Sequence, residues 1–300
     1  MNLFTKTIEN WSDWGKVFQS IPDFAPLVDE ILRREKLPTA PLENLTPGTN
    51  AVFKAGELVV KIFSPKESGL DGAADMASEL FATDFANKHG VNSPKIVAVG
   101  EICDRYDFKY IVMSFERGVS FGDAVGSMSD AEKAAVGREL RRITDRMNLP
   151  CERFNNSDPF NRSFGSGRWE KFSERFKSER FERISAINRD ESVFVHGDLN
   201  PDNILVDDDR SLTILDFADA LVAPICYEHA LVTSELFRFD SALIRGFFGE
   251  YDPKSLANLI LDGLLLHDFG GDVIAQRVCP PSKIDCLDDL YRIILEKVKI

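Results

Sequence analysis

The sequence predicts an α+β chain of two unlike lobes: a small antiparallel β-sheet with one main helix, followed by a mostly helical lobe. Three observations lead there. At 300 residues the chain exceeds one comfortable hydrophobic core. Short β-rich runs separated by turn residues cluster between 51 and 115 and enclose a single helical stretch. Beyond residue 129 the apolar positions repeat at helical spacing, with one β-rich interruption at 193–219. The expected organisation is a helical extension over 1–36, a sheet lobe over 37–116 and a helical lobe over 117–300, with a ligand cleft where the lobes meet.

Each element has its own signal. Residues 1–35 read as one or two short helices packed around Trp11, Trp14 and Phe18. LPTAPLENLTPGTN (37–50) has the Pro, Asn and Thr of a linker entering a turn. AVFKAGELVVKIF folds back at Gly56 as a hairpin, with Val59, Lys61 and Phe63 on one face of the second strand and Val60 and Ile62 on the other. In AADMASELFATDFANKHG, Ala77, Leu80, Phe81 and Phe85 share one helical face, and Gly90 suits the stop. KIVAVGEI and KYIVMSF are strands on either side of a polar turn. Ser129 and Glu132 form a capping box ahead of Val136, Leu140, Ile143 and Met147. Trp169, Phe172 and Phe176 open a further helix, and segments near 228–248, 255–268 and 286–298 read likewise. SFGSGRW (163–169) reads as a flexible loop, and ERFKSERFER (174–183) as a solvated helix face.

Composition excludes several classes. A formal net charge of −13 opposes a nucleic-acid surface and leaves room for a cationic ligand. No apolar run reaches the roughly 18 residues of a membrane span, since Asp262 interrupts the best candidate. The N-terminus lacks a signal-peptide pattern, and the five cysteines form no CxxC pair, so a cytoplasmic protein with reduced thiols is expected. Histidines 89, 229 and 267 have no partners at zinc-ligand spacing.

The interruption VFVHGDLNPDNILVDDDRSLTILDFAD (193–219) carries the chemistry. NILV and SLTIL flank the turn residues Asp207–Arg210 as a hairpin. Folding it about a centre between 209 and 210 sets Asn203 opposite Asp216 at the open end, where cross-strand Cβ atoms are roughly 5 Å apart. An amide oxygen beside a carboxylate suits a hard cation such as Mg²⁺. Asp198 enters the same place and is a carboxylate able to take a proton from a hydroxyl. His196 is expected to hold the loop backbone rather than to react.

His196-x-Asp198-x4-Asn203 followed by Asp216-Phe217 resembles the motifs of the aminoglycoside phosphotransferase and choline kinase family, small-molecule kinases of protein-kinase-like fold. The resemblance spans roughly residues 45–270. It implies ATP or GTP with Mg²⁺ as cofactors, Asp198 as the base, and Asn203 and Asp216 as metal ligands. It further implies that Lys61, paired with helical Glu79, contacts the α/β-phosphates. Gly48, Thr49 and Asn50 fall where the family's phosphate loop lies, although no GxGxxG is present. The backbone of Ser114, Phe115 and Glu116 would meet the purine edge, with Met113 behind it. Asp216-Phe217-Ala218 runs into the next helix with no protein-docking segment, so the acceptor is expected to be a small molecule, with antibiotic resistance as one outcome. From 190 to 240 the acids outnumber the bases, twelve to two by count along the sequence, which favours a cationic acceptor. Asp158, Glu228 and Asp268 are candidates for amine contacts, and Trp169 and Tyr227 for stacking. The alternatives are a metabolite kinase for choline, amino-acid or sugar hydroxyls, and a nucleotide-binding pseudokinase acting through partners.

Overall fold

The computed structural model describes residues 3–46, 48–161 and 167–299, and the chain divides into two compact units. Unit 1 holds 1–87 and 93–117, and unit 2 holds 88–92 and 118–300. Among the described residues no helix is long and apolar enough to cross a membrane.

Unit 1 is built on a five-stranded antiparallel sheet in the order β1-β2-β3-β5-β4. Its strands are β1 (Leu42–Asn44), β2 (Ala51–Ala55), β3 (Leu58–Ile62), β4 (Ile96–Cys103) and β5 (Asp107–Ser114). Gly56, at φ +65, makes the tight turn from β2 to β3, a conformation glycine adopts without a Cβ clash. The first 36 residues do not stand apart as an extension. Phe4, Ile8, Trp14, Phe24 and Ile31 are fully buried in one cluster with Phe53, Val60, Phe108 and Tyr110 of the sheet. The amides of Leu3 and Phe4 donate to Asp104 Oδ2, at 2.9 Å each, and that of Ile8 to the Tyr106 hydroxyl. Trp11, expected in this core, is instead 46% exposed. It is the first residue of the Trp11–Val17 helix, and Trp14, one turn further on, is the tryptophan that this helix buries.

Val60 and Ile62 of β3 belong to that cluster, and period-2 alternation turns Lys61 to the opposite face. There it meets the Gly72–Lys88 helix. That helix buries Ser78, Glu79, Ala82, Thr83 and Ala86, with Phe81 40% exposed and stacked on Phe85 at 6.2 Å. The expected Ala77/Leu80/Phe81/Phe85 face is therefore not the buried one. Small residues at 82 and 86 admit close packing, and Glu79 is inside because it neutralises Lys61.

In unit 2, β6 (Val119–Ser120), β8 (Ile204–Val206) and β9 (Leu212–Ile214) form one antiparallel sheet, and β7 (Ser192–Val195) pairs with β10 (Leu221–Pro224). The Ser129–Glu132 capping box opens the Asp130–Met147 helix, which buries Val136, Leu140, Ile143 and Met147. Of the loop expected at 163–169, residues 163–166 lie outside the described residues, and Gly167–Trp169 form a 3-10 turn. Trp169 and Phe172 precede the next helix rather than opening it, because Ser173 caps Glu174–Ser185 by accepting from the Phe176 amide. Helices Cys226–Leu231, Ser241–Phe248, Pro253–Leu266 and Leu287–Val298 complete the unit. Two π-helical turns, Val232–Leu236 and Ile274–Val278, interrupt this pattern.

Candidate active site

In unit 2 the β7 strand runs into the loop His196–Asn203, and three buried side chains hold that loop from beneath. His196 is fully buried, and its Nε2–H donates to the Leu215 carbonyl at 2.9 Å while Nδ1 accepts the Asp198 amide at 3.2 Å. Burial pushes its pKa down to about 4, so the ring is neutral. His267 repeats the device, with Nε2–H on the Gly197 carbonyl at 3.0 Å and Nδ1 accepting the Phe269 amide at 3.1 Å. Glu228 accepts from the amides of His196 and Gly197 and from Asn148 Nδ2. Gly197 sits at φ +82, and a Cβ there would lie 2.2 Å from the Asp219 carbonyl, so the loop closes on the 216–220 turn only with glycine.

On this platform Asp198 receives Asn200 Nδ2 at 2.9 Å and Asn203 Nδ2 at 3.1 Å on Oδ2. Burial, and then the negative charge of Asp219, raise its pKa to about 7, against the lowering effect of the Asn200 bond. The β8–β9 register pairs Ile204 with Ile214 and Leu205 with Thr213, one residue short of the expected register. Asn203 therefore faces Leu215, whose amide donates to its carbonyl at 2.9 Å, and Asp216 lies one position beyond. Within the turn that sets this register, Arg210 is left-handed at φ +67. Asp216, itself at φ +55, is exposed.

The donor set fits a hard divalent cation. Asn203 spends its amide hydrogens on the Asp198 carbonyl and carboxylate, which leaves its Oδ1 as a neutral oxygen donor. Asp198, Asp216 and Asp219 crowd one region, with Asp219 and Asp216 both raising the Asp198 pKa, and such crowding is relieved by a cation with oxygen ligands.

Beside Asp198 opens a cavity of about 490 Å³ lined wholly by unit 2, within the range of small-ligand pockets. Its acids are Asp123, Asp198, Asp202, Glu235 and Asp272, and its bases Arg238 and Arg277. None of the residues singled out for amine contact or stacking is among them. Trp169 is buried between Phe172, Phe176 and the Arg180 guanidinium, which lies 3.8 Å from the ring. Tyr227 is buried against His267 at 4.0 Å between ring centroids. Glu228 is buried under the loop, Asp158 pairs with Arg153, and Asp268 lies 3.8 Å from Arg168. An acid count along the sequence does not distinguish these from the true cavity wall. Asn200 and Asp202 lay within the motif and were detectable from it; Glu235, Asp272 and Arg238 carry no local signal.

In unit 1, Lys61 Nζ lies 2.7 Å from Glu79 Oε2, with side chains only 6% and 4% exposed. The Thr49 carbonyl accepts Trp14 Nε1–H at 2.8 Å, and buried Asn50 Oδ1 accepts the Ser64 amide at 3.3 Å, so this turn is braced from both sides. Gly48 and Thr49 are exposed. Met113 is half-buried on β5 opposite Val59. The amides of Ser114 and Phe115 are already given to the carbonyls of Lys95 and Glu57, at 2.9 Å each, so neither is available to a purine edge as expected. Glu116 binds the Ser114 hydroxyl.

Comparison with known proteins gives a consistent picture. A family model described as the phosphotransferase enzyme family (APH) matches residues 49–259. A search of curated proteins finds no match. Among solved structures, the GDP complex of an aminoglycoside 2'-phosphotransferase-IIIa mutant superposes with a TM-score of 0.62 at 19% identity, covering 91% of this chain and 92% of that one. The GDP and kanamycin complex of APH(2'')-IIIa gives 0.60 at 16%, covering 91% and 98%. ADP-bound aminoglycoside phosphotransferase APH(2'')-Ib gives 0.60 at 15%, covering 92% and 99%. At these identities the likeness establishes the kinase-like fold.

Proposed function

The chain belongs to the phosphotransferase enzyme family, and from that premise we propose that it moves the γ-phosphoryl group of ATP or GTP onto a hydroxyl of a small molecule seated beside Asp198. The observation that carries this reading is Asp198 itself: a half-buried carboxylate, hydrogen-bonded by Asn200 and Asn203, at the wall of a ligand-sized cavity, on a loop fixed by His196, Glu228 and His267.

Asp198 accepts a hydrogen bond from the acceptor hydroxyl and takes its proton as the new O–P bond forms and the bond to the β-phosphate oxygen breaks. A nucleoside diphosphate leaves, and the proton passes from Asp198 to solvent. Asn203 and Asp216 are the proposed Mg²⁺ ligands, and the metal supplies charge neutralisation on the phosphates when bound. Lys61, fixed by Glu79, contacts the α/β-phosphates, and the exposed Gly48–Thr49 turn offers backbone amides to them. Phosphoryl transfer has a loose transition state, so positioning and electrostatics supply most of the acceleration. The solved relatives described above hold GDP or ADP, which supports a purine nucleotide here.

The test is a panel of hydroxyl compounds incubated with Mg·ATP or Mg·GTP, with products identified by mass spectrometry. Phosphorylated acceptor that disappears in Asp198→Asn supports the reading. Nucleotide binding with no transfer across amino sugars, amino alcohols and sugars would overturn it in favour of a pseudokinase.

A further inference from the structure

Part of the cavity wall departs from ordinary helix. The π-helical turn Val232–Leu236 contributes Glu235, and the π-helical turn Ile274–Val278 contributes Gln276 and Arg277. π-turns are rare and concentrate at functional sites. Here the two are clamped together, because Arg277 Nε and Nη2 reach both carboxylate oxygens of Glu235, at 2.8 and 2.7 Å. Asp272 is likewise neutralised by Arg168, at 3.0 Å, and by Lys171. Two of the five cavity acids are therefore already cancelled.

The remaining base is different. Arg238 lies two residues beyond the first π-turn, lines the same cavity, is exposed, and has no carboxylate partner among the described residues. Its backbone is at φ +49, and that of Phe239 at φ +60. Left-handed conformation is strained for an L-residue, and two such residues in succession persist where the surroundings hold a side chain in one place.

We propose that Arg238 anchors an anionic group, carboxylate or phosphate, on the acceptor. Resting on the phosphotransfer reading above, this makes the acceptor a hydroxyl compound with a negative charge rather than a polycation. An amine on the same compound finds Asp123 and Asp202, both exposed at the cavity wall, so a zwitterionic amino alcohol matches all three charges. The acidic balance of the whole chain does not reach this result, because it counts Glu235 and Asp272 as though they were free.

The experiment uses the full chain with Mg·ADP and matched probes: homoserine against aminopropanol, glycerol phosphate against glycerol, and kanamycin as the polycation. Calorimetry on wild type, R238A, R238G and R238K gives binding, and Mg·ATP turnover gives transfer. One anion is expected to bind about tenfold or more tightly than its uncharged-group counterpart, from a charge-assisted contact of ordinary strength. That ratio collapses in R238A and R238G and recovers in part in R238K. R238G also melts no lower than wild type, since glycine suits the backbone at 238; a purely structural arginine would make it melt lower. The homoserine and glycerol phosphate arms decide between carboxylate and phosphate. Equal binding of each anion and its counterpart, a ratio unmoved in R238A, or preference for kanamycin overturns the proposal. Arg238-dependent binding without transfer to any probe keeps the anchor and sinks the transfer reading; transfer with an unmoved ratio does the reverse.

Discussion

Replacing Glu228 with Gln isolates the energetics of the group beneath the catalytic loop. Glu228 is fully buried, and desolvation raises its pKa from 4.5 to about 7 in spite of three hydrogen bonds that favour the carboxylate. Between pH 4.5 and 7 the folded chain keeps a proton that the unfolded chain has released, so this group removes stability as pH rises through that window. At about 1.4 kcal/mol per pH unit, the gap comes to about 3 kcal/mol, complete above pH 7. Gln cannot ionise and escapes that loss. Its own handicap is constant: in either protonation state the acid presents two oxygens able to accept from Asn148, His196 and Gly197, whereas the amide nitrogen of Gln accepts nothing, at about 1–3 kcal/mol. The variant should be the less stable protein at pH 5 and should match or exceed wild type at pH 8. Urea unfolding from pH 4.5 to 8, followed by circular dichroism and tryptophan fluorescence, measures the difference. His196, whose pKa is depressed to about 4, acts in the opposite sense below pH 6.5 but is common to both proteins and cancels. A wild-type-minus-variant difference that stays constant with pH would refute the buried-carboxylate argument.

Asp198→Asn should lower turnover about 100- to 10,000-fold with nucleotide affinity within a few-fold of wild type, read by coupled diphosphate release and Mg·ADP titration; equal loss of both would make Asp198 structural. Glu79→Gln should destabilise unit 1 by about 3–5 kcal/mol, because it takes the carboxylate charge away from a buried ammonium, while Lys61→Met/Glu79→Leu recovers much of that. Thermal melts rank the three proteins, and a double variant no better than Glu79→Gln refutes the account. Chelation with EDTA should abolish transfer and leave the melting temperature near its starting value, since the Asp198 loop is held by protein groups; restoration by Mg²⁺ completes the test.

The sequence made the order of elements legible because each one follows local rules: alternation in β2 and β3, a capping box at Ser129, a turn at Gly56. Spacing pointed to Lys61 beside Glu79 and to Asn203 near Asp198, and both pairs meet in the structure. The sequence misjudged the β8–β9 register by one residue, since nothing in DDDR marks Arg210 as left-handed. It chose the apolar face of the Gly72–Lys88 helix by hydropathy, whereas an ion pair decided what was buried. The acceptor side was the least legible: none of Asp158, Glu228, Asp268, Trp169 and Tyr227 lines the cavity beside Asp198. Trp169 and Tyr227 have the right chemistry for stacking a cation, but long-range packing on Arg180 and His267 consumes them. Neither the π-turns nor the left-handed pair Arg238–Phe239 is marked by residue type: the backbone bonds that close them are local, Phe237 N–H to the Val232 carbonyl and Phe239 N–H to the Thr233 carbonyl, but no glycine or proline announces them.

These features share a physical logic. Asp216, Arg238 and Phe239 occupy a costly backbone region, and Gly197 closes on Asp219 at a distance no Cβ permits. Such geometry persists only where the surroundings over-determine it. Two buried histidines and one buried carboxylate supply that constraint for the loop, each binding backbone rather than ligand. A Glu235–Arg277 clamp supplies it for the wall that ends in Arg238. The groups left at the cavity wall then include the Asp198 carboxylate, held by Asn200 and Asn203, and the Arg238 guanidinium, which has no carboxylate partner among the described residues. For a reaction whose transition state makes few bonds to protein, this prior fixation of charge is where catalytic power has to originate.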